Sequence, residues 1–267
     1  MKTPSTLIVG YGITGKNLHR EIAALNPDIC DIDSAKIPPE HQGRNYSKYD
    51  AIFVCVDTPY VSREKRCDIT AVEMAIEQHK EELAAGGVFV IKSTIPPHTT
   101  SQLNNCFPLT PIIHSPEYYG DTQHCNNFDF DFTVLGGRRK WCNKIQSMLQ
   151  MCHDARHRFF VVDAAVAELA KYMANCSLAT KVSFCVEFFR IANDLDIDYN
   201  AVREIFIQDP RINASHTFVY PDAPYWDSHC LNKDVATIAD NPEAYLLRQI
   251  INFNNHCKKN LCKVNIY

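Results

Sequence analysis

The chain has 267 residues, 46% of them hydrophobic, and a net charge of −4. That is enough for one large domain or two ordinary ones with packed cores. No run of about 18 apolar residues is present and no basic run exceeds the GGRRK turn, which argues against a membrane span and a nucleic-acid surface. The opening MKTPSTLIVGYG lacks the apolar core and cleavage site of a secretory signal, so a cytoplasmic location is expected.

In chain order, short β-branched runs alternate with helical patterns over the first 160 or so residues: TLIVG, DICDID, AIFVCV, GVFVIKS, TPIIHS, DFTVLGG and RFFVV are strand-like. This alternation predicts α/β architecture, a Rossmann-type doubly wound parallel sheet with helices on both faces, over residues 1–162. A helix is expected to open at Asp68 and to stop at the glycines of LAAGG. From Asp163 to Leu195 no Gly or Pro occurs and apolar residues cover most of the helical circumference, predicting one long helix buried on more than one side. Shorter helices are expected at YNAVREIFI, at NKDVATIA and after Pro242, then a strand-like tail. Residues 163–267 thus read as a small helical domain.

Twelve cysteines are scattered through apolar segments such as AIFVCVD and KVSFCVEFF, where a reduced thiol behaves as a small hydrophobe. There is no CxxC pair, and His153 and His157 in CHDARH, one helical turn apart, are too few to hold a metal. No metal is expected.

Gly10, Gly12 and Gly15 lie between a strand and a helix, in the GxGxxG spacing. The first permits a tight turn, the second lets backbone approach a pyrophosphate, and the third lets helix and strand pack closely. Phosphates would sit at the helix N-terminus. Asp31 lies where a carboxylate would accept from the ribose hydroxyls, favouring NAD over NADP; Asp33 is its rival. Farther on, Lys171 and Asn175 share one face of the long helix. Such a lysine is costly if buried without a partner or task, or it snorkels to the surface. Cys230 is followed by Lys233 and Asp234. If NKDVATIA begins a helix, Cys230 precedes its first turn, where N–H groups and a cation lower a thiol pKa. A thiolate adds to an aldehyde, and loss of hydride from that adduct gives a thioester.

Several of these stretches together resemble the UDP-glucose/GDP-mannose dehydrogenase family: IVGYGITGKNL, FVCVDTP, VIKSTIPPHTT, HSPEYYGD, the long AELAKYMANCSLATKVSF helix running on to DPRI, and SHCLNKDVATI. The resemblance implies NAD-dependent oxidation of a sugar primary alcohol to a carboxylate, on a UDP-sugar such as UDP-glucose, through a Cys230 hemithioacetal and thioester. It implies catalytic roles for Cys230, Lys171, Asn175, Asp234, Glu117 and Thr94. For the cofactor it implies contacts from Gly10, Tyr11, Gly12, Ile13, Thr14, Gly15, Asp31, Asp33, Val56, Thr58 and Thr94. For the sugar it implies Glu117, Tyr118, Tyr119, Lys171, Asn175 and Lys233, with Arg211 reaching the substrate of a neighbouring subunit, and a homodimer formed through helix 163–195.

The departures are specific. YWDSHC replaces the family's glycines ahead of the cysteine, so that Trp226 and Asp227 would narrow or recharge the pocket; Asp121 shortens a second carboxylate. Only 33 residues follow Asp234, too few for the family's second α/β domain, which grips the nucleotide; a truncated member is expected. Two alternatives follow: a two-electron β-hydroxyacid-type dehydrogenase using Lys171 and Asn175, or a catalytically degenerate NAD-binding protein.

Overall fold

The computed structural model describes residues 3–43, 45, 48–119 and 130–260; Asp121 and the expected terminal strand lie outside them. The chain divides into two compact units, residues 1–59 with 67–171, and residues 60–66 with 172–267.

The first unit begins with β1 (Thr6–Val9), α1 (Ile13–Glu21), β2 (Asp28–Cys30) and β3 (Tyr49–Val54). A small hairpin of β4 (Tyr60–Val61) and β5 (Arg66–Cys67) precedes α2 (Thr70–His79), β6 (Leu83–Ile91), α3 (Thr99–Cys106), β7 (Ile112–His114), β8 (Phe132–Gly136), α4 (Arg139–Leu149) and β9 (Arg158–Val162). The seven-stranded sheet runs β2-β1-β3-β6-β7-β8-β9 and is parallel except where β7 meets β8.

Burial on both faces explains why these strands read as continuous apolar runs. Side chains alternate between faces with period two: Ile8, Phe53, Val88, Val90 and Ile113 pack with Leu18 of α1, its C-cap Ile22, and Ile145 and Met148 of α4, whereas Leu7, Ile52, Val54, Phe89 and Ile91 pack with Val72 and Ile76 of α2 and Leu103 of α3. Each such side chain contributes about 1.5–3 kcal/mol by leaving water. Strand order reverses at β1, so the crevice beyond the carboxyl ends of β1 and β3 is the ligand position of a doubly wound sheet.

The helix expected from Asp68 to the glycines is shorter. Asp68 precedes the N-cap Ile69 and accepts from the Thr70 amide at 2.9 Å and hydroxyl at 2.6 Å, but α2 ends at His79 and LAAGG belongs to β6. Tyr49 of β3 pairs with Leu83, and the register then slips so that Ala51 meets Val88. A Cβ on Gly87 would lie 2.8 Å from the Tyr49 carbonyl oxygen. That glycine admits a neighbouring strand; it does not stop a helix.

Helix α5 (Ala164–Asp194) runs from the first unit into the second. The second unit adds α6 (Tyr199–Phe206), α7 (His229–Ala239) and α8 (Tyr245–Lys259). Cys176 and Ala179 of α5 pack with Trp226, Leu231 and Val235, and with Ile250 of α8. Phe189 and Ala192 pack with Tyr199 of α6. Val166, Leu169 and Met173, and farther on Phe184, Phe188, Ile191 and Leu195, stay exposed at three- and four-residue spacing within each group. Among the described residues no helix is long and apolar enough to cross a membrane.

Candidate active site

The turn after β1 has the shape a pyrophosphate requires. Gly10 has φ of +92°, and a Cβ there would lie 2.6 Å from the Cys55 carbonyl oxygen; a Cβ on Gly15 would strike the Gly10 carbonyl. Gly12, by contrast, faces open space within 4 Å and is the N-cap of α1, so the free N–H groups of Ile13, Thr14 and Gly15 begin the helix. Asp31 closes the turn: its Oδ2 accepts from Tyr11 N at 2.6 Å and its Oδ1 from Asp33 N at 2.8 Å. Two carboxylate oxygens offer about four acceptor sites, so these bonds orient Asp31 and leave capacity for hydroxyls. Asp33 caps the next turn, accepting from Ala35 N at 3.1 Å. Between them Ile32 is fully exposed, 104% of its reference area. Val56 is half-buried at the end of β3, and its carbonyl accepts from Ser93 Oγ at 2.6 Å. Thr58 donates to the carbonyl of the half-buried Thr94 at 2.7 Å. These residues fit a dinucleotide: glycines where a side chain would clash, and an oriented acid beyond the second strand.

Beyond β6 and β7 the first unit places four charged or titratable groups that apolar strands bury only with partners. Lys92 is buried with its Nζ 3.4 Å from Glu117 Oε2. Burial opposes that charge, but Glu117 and Glu21 outweigh it and hold the ammonium above its ordinary value. Glu117 Oε1 accepts from Tyr118 N at 2.9 Å. The Lys171 ammonium, buried on α5, lies 5.1 Å from the centre of the Tyr118 ring. His114 is wholly buried, and burial pushes it down to about 3, so its imidazole is neutral. Tyr119 is exposed. Glu168, also without exposure, receives the His98 and Thr100 amides and the Thr100 hydroxyl at 2.6–2.8 Å, satisfying the N-terminus of α3.

In the second unit α7 opens at His229, three residues before the expected start at Asn232, with Ser228 as its cap accepting from Leu231 N at 3.1 Å. Cys230 is exposed in this first turn. Asp234, one turn on, has no exposure; it accepts from Asn175 Nδ2 at 2.5 Å and pairs with Lys233 Nζ at 2.7 Å. Arg211 is exposed and held in a bidentate pair by Asp209, the shortest contact 2.6 Å.

Two sequence expectations are corrected here. Trp226 does not narrow a pocket; it is buried in the unit's core, its Nε1 donating to Ser183 Oγ at 3.0 Å and its backbone N–H and C=O both paired with the Asn254 side chain at 2.9 Å. Asp227 is neutralised by Lys258 at 2.6 Å and Asn232 at 2.7 Å. His153 and His157 lie in the turn after α4, not on a helix, with rings stacked 3.7 Å apart. Their outward nitrogens engage Glu21 Oε1 at 3.1 Å and Thr133 Oγ1 at 2.8 Å. Sequence reasoning passed over Lys92, Glu21, Glu168 and His114; for Lys92 and His114 the available signal was a charge or imidazole closing a wholly apolar strand, whereas Glu21 and Glu168, on helices α1 and α5, carried none.

Residues 40–152 match the NAD binding domain of the UDP-glucose/GDP-mannose dehydrogenase family and residues 165–256 its central domain. The chain belongs to that family. It is 27% identical over 216 residues to UDP-N-acetyl-D-mannosamine dehydrogenase of Methanocaldococcus jannaschii, covering 78% of this chain and 49% of that protein. The chain thus spans about half the length of that relative. A solved UDP-glucose dehydrogenase of Pyrobaculum islandicum superposes with a TM-score of 0.82 at 20% identity, over 97% of this chain and 69% of the other. Mycobacterium tuberculosis 3-hydroxyisobutyrate dehydrogenase shares the fold with a TM-score of 0.70 at 14% identity, covering 99% and 97%.

Proposed function

We propose that the chain is an NAD-dependent dehydrogenase that oxidises the primary alcohol of a UDP-sugar, of the UDP-glucose or UDP-N-acetyl-D-mannosamine kind, to a carboxylate. The observation that carries this is the α7 arrangement: an exposed Cys230 in the first helical turn, and one turn on a wholly buried Asp234 locked to Asn175. A helix N-terminus favours thiolate, and the Asp234 contact fixes the carboxamide that the oxyanion role requires.

The dinucleotide is held by the Gly10–Gly15 turn and Asp31, and when bound it accepts hydride. Lys171 and Asn175 stabilise developing negative charge on the sugar oxygen. Cys230 forms the thioester, and Glu117 takes the proton of the water that hydrolyses it. By resemblance to the family, Thr94, Tyr118, Tyr119 and Lys233 are assigned to cofactor and sugar binding, and Arg211 serves a neighbouring subunit. The exposed apolar stripe of α5 is the homodimer face.

Incubation with NAD⁺ and a panel of UDP-sugars, followed by NADH absorbance, tests the reading; no turnover with any of them overturns it. A second reading, two-electron oxidation of a small hydroxy acid, is favoured by the near-complete overlap with the hydroxyisobutyrate enzyme. Cys230→Ser separates the two, because only the first reading needs the thiol.

A further inference from the structure

Glu117 opens onto a polar cavity of about 20 Å³, room for roughly one water. Its polar walls are Glu21, Lys92, Glu117, Thr133, His153 and His157, all within the first unit. The arrangement has direction. At the inner end Lys92 is buried against Glu117 Oε2 at 3.4 Å; that oxygen is buried, while the Glu117 side chain as a whole keeps 13% exposure. At the outer end Glu21 and His153, bonded at 3.1 Å, keep 10% and 14% of their side chains exposed. Burial would raise the Glu21 carboxyl, but Lys92 and then His153 outweigh it and hold it below the ordinary carboxylate value. Burial and the neighbouring His153 hold His157 down. Cys55 adds no exchangeable group, since burial pushes its thiol far up.

We propose that this cavity is the proton-release path of the enzyme, with Lys92 the positioning residue that fixes Glu117 and the Glu21–His153 pair the exit to solvent. The inference rests on the reading of Glu117 as the base for thioester hydrolysis. In that step water oxygen bonds to the acyl carbon and the C–S bond breaks, Cys230 sulfur leaving as thiolate. One water proton passes to Glu117 and the carboxylic acid then ionises, with no change of oxidation state. Glu117 turns over again only after its proton leaves. Its carboxylate faces Lys92 and, across the cavity, Glu21, His153 and His157. An imidazole can accept a proton on one ring nitrogen and release one from the other.

The test uses the full chain. His153→Ala should lower kcat with the best UDP-sugar about tenfold while KM stays within about twofold, and added imidazole should restore it. Glu21→Gln should lower kcat without rescue. Independently of substrate, Glu117→Gln should lower the NMR titration midpoints of the histidine pair by about 0.3 unit, through loss of a nearby negative charge. Wild-type turnover that His153→Ala leaves unchanged, or that imidazole fails to restore, overturns the path alone. Absence of wild-type turnover overturns the function reading and the path with it, whereas unmoved midpoints show that Glu117 and the histidines are uncoupled and overturn the path by themselves.

Discussion

Replacing Trp226 by Ala tests whether the residue ahead of the cysteine is a core anchor or part of a substrate pocket. The indole is buried among Cys176, Ala179, Leu231 and Val235, and truncating such a side chain costs about 3–5 kcal/mol in transfer and cavity terms. The Nε1–Ser183 bond is also lost, but Ser183 Oγ keeps its bond to the Ala179 carbonyl at 2.9 Å, so that loss adds only about 1 kcal/mol. Asn254 still pairs with the backbone of residue 226 in this variant. Asn254→Ala instead strands a buried N–H and C=O, at about 1–3 kcal/mol each. With a urea slope of about 2 kcal/mol/M, Trp226→Ala should lower the midpoint of the second unit by about 2–3 M, followed by far-UV circular dichroism. NAD⁺ affinity, measured by calorimetry below the transition, should stay within about twofold because the cofactor turn belongs to the first unit. An unchanged midpoint together with a raised KM for the sugar would refute the buried-anchor reasoning.

Gly10→Ala should weaken NAD⁺ binding about tenfold or more by calorimetry, since it combines a Cβ 2.6 Å from the Cys55 carbonyl with a φ of +92° at about 1–2 kcal/mol of conformational cost. Stability should fall as pH drops below about 6.5, because the unfolded chain binds a proton at His114 that the folded chain, with its value near 3, does not. At pH 5 that linkage amounts to about 2 kcal/mol, and the urea midpoint of His114→Gln should lose that part of its pH slope. Phe188→Asp, on the proposed dimer face of α5, should convert the proposed dimer to monomer in light scattering with little change in the monomer's unfolding midpoint.

The sheet was legible because its strands are buried on both faces and so carry unbroken apolar runs, and the glycine turn was legible because its requirements are local. The end of α2 was not. Alanines and a leucine before Gly86 suit a helix, and only pairing with Tyr49, more than thirty residues earlier, draws them into β6. The same holds for chemistry. Lys92 finds its carboxylates at Glu117 and Glu21, and Trp226 its partners at Ser183 and Asn254; neither set is visible from neighbours in sequence. Ser228 carried a helix-cap signal that the start at NKDVATIA overlooked.

Helix polarity also separates Cys230 from the other thiols. Of ten cysteines among the described residues, six are buried, two are half-buried, and only Cys106 and Cys230 are exposed. Burial raises the buried thiols, Cys142 to about 11 and Cys176 to about 12, so an alkylating reagent meets them neither accessible nor ionised. Cys106 is the last residue of α3, whereas Cys230 is the second of α7. A helix presents roughly half a positive charge at its first turn and half a negative charge at its last, each worth about 0.3–1 kcal/mol to a neighbouring ion. Of the two exposed thiols, Cys230 lies at the pole that favours an anion and Cys106 at the pole that disfavours one. Iodoacetamide at pH 7 with peptide mass spectrometry should modify Cys230 faster than Cys106, and Cys230 labelling should slow as Lys233→Met removes the cation three residues on. If Cys106 reacts as fast, the first turn of α7 does not activate its cysteine, and the thioester reading loses its chemical basis.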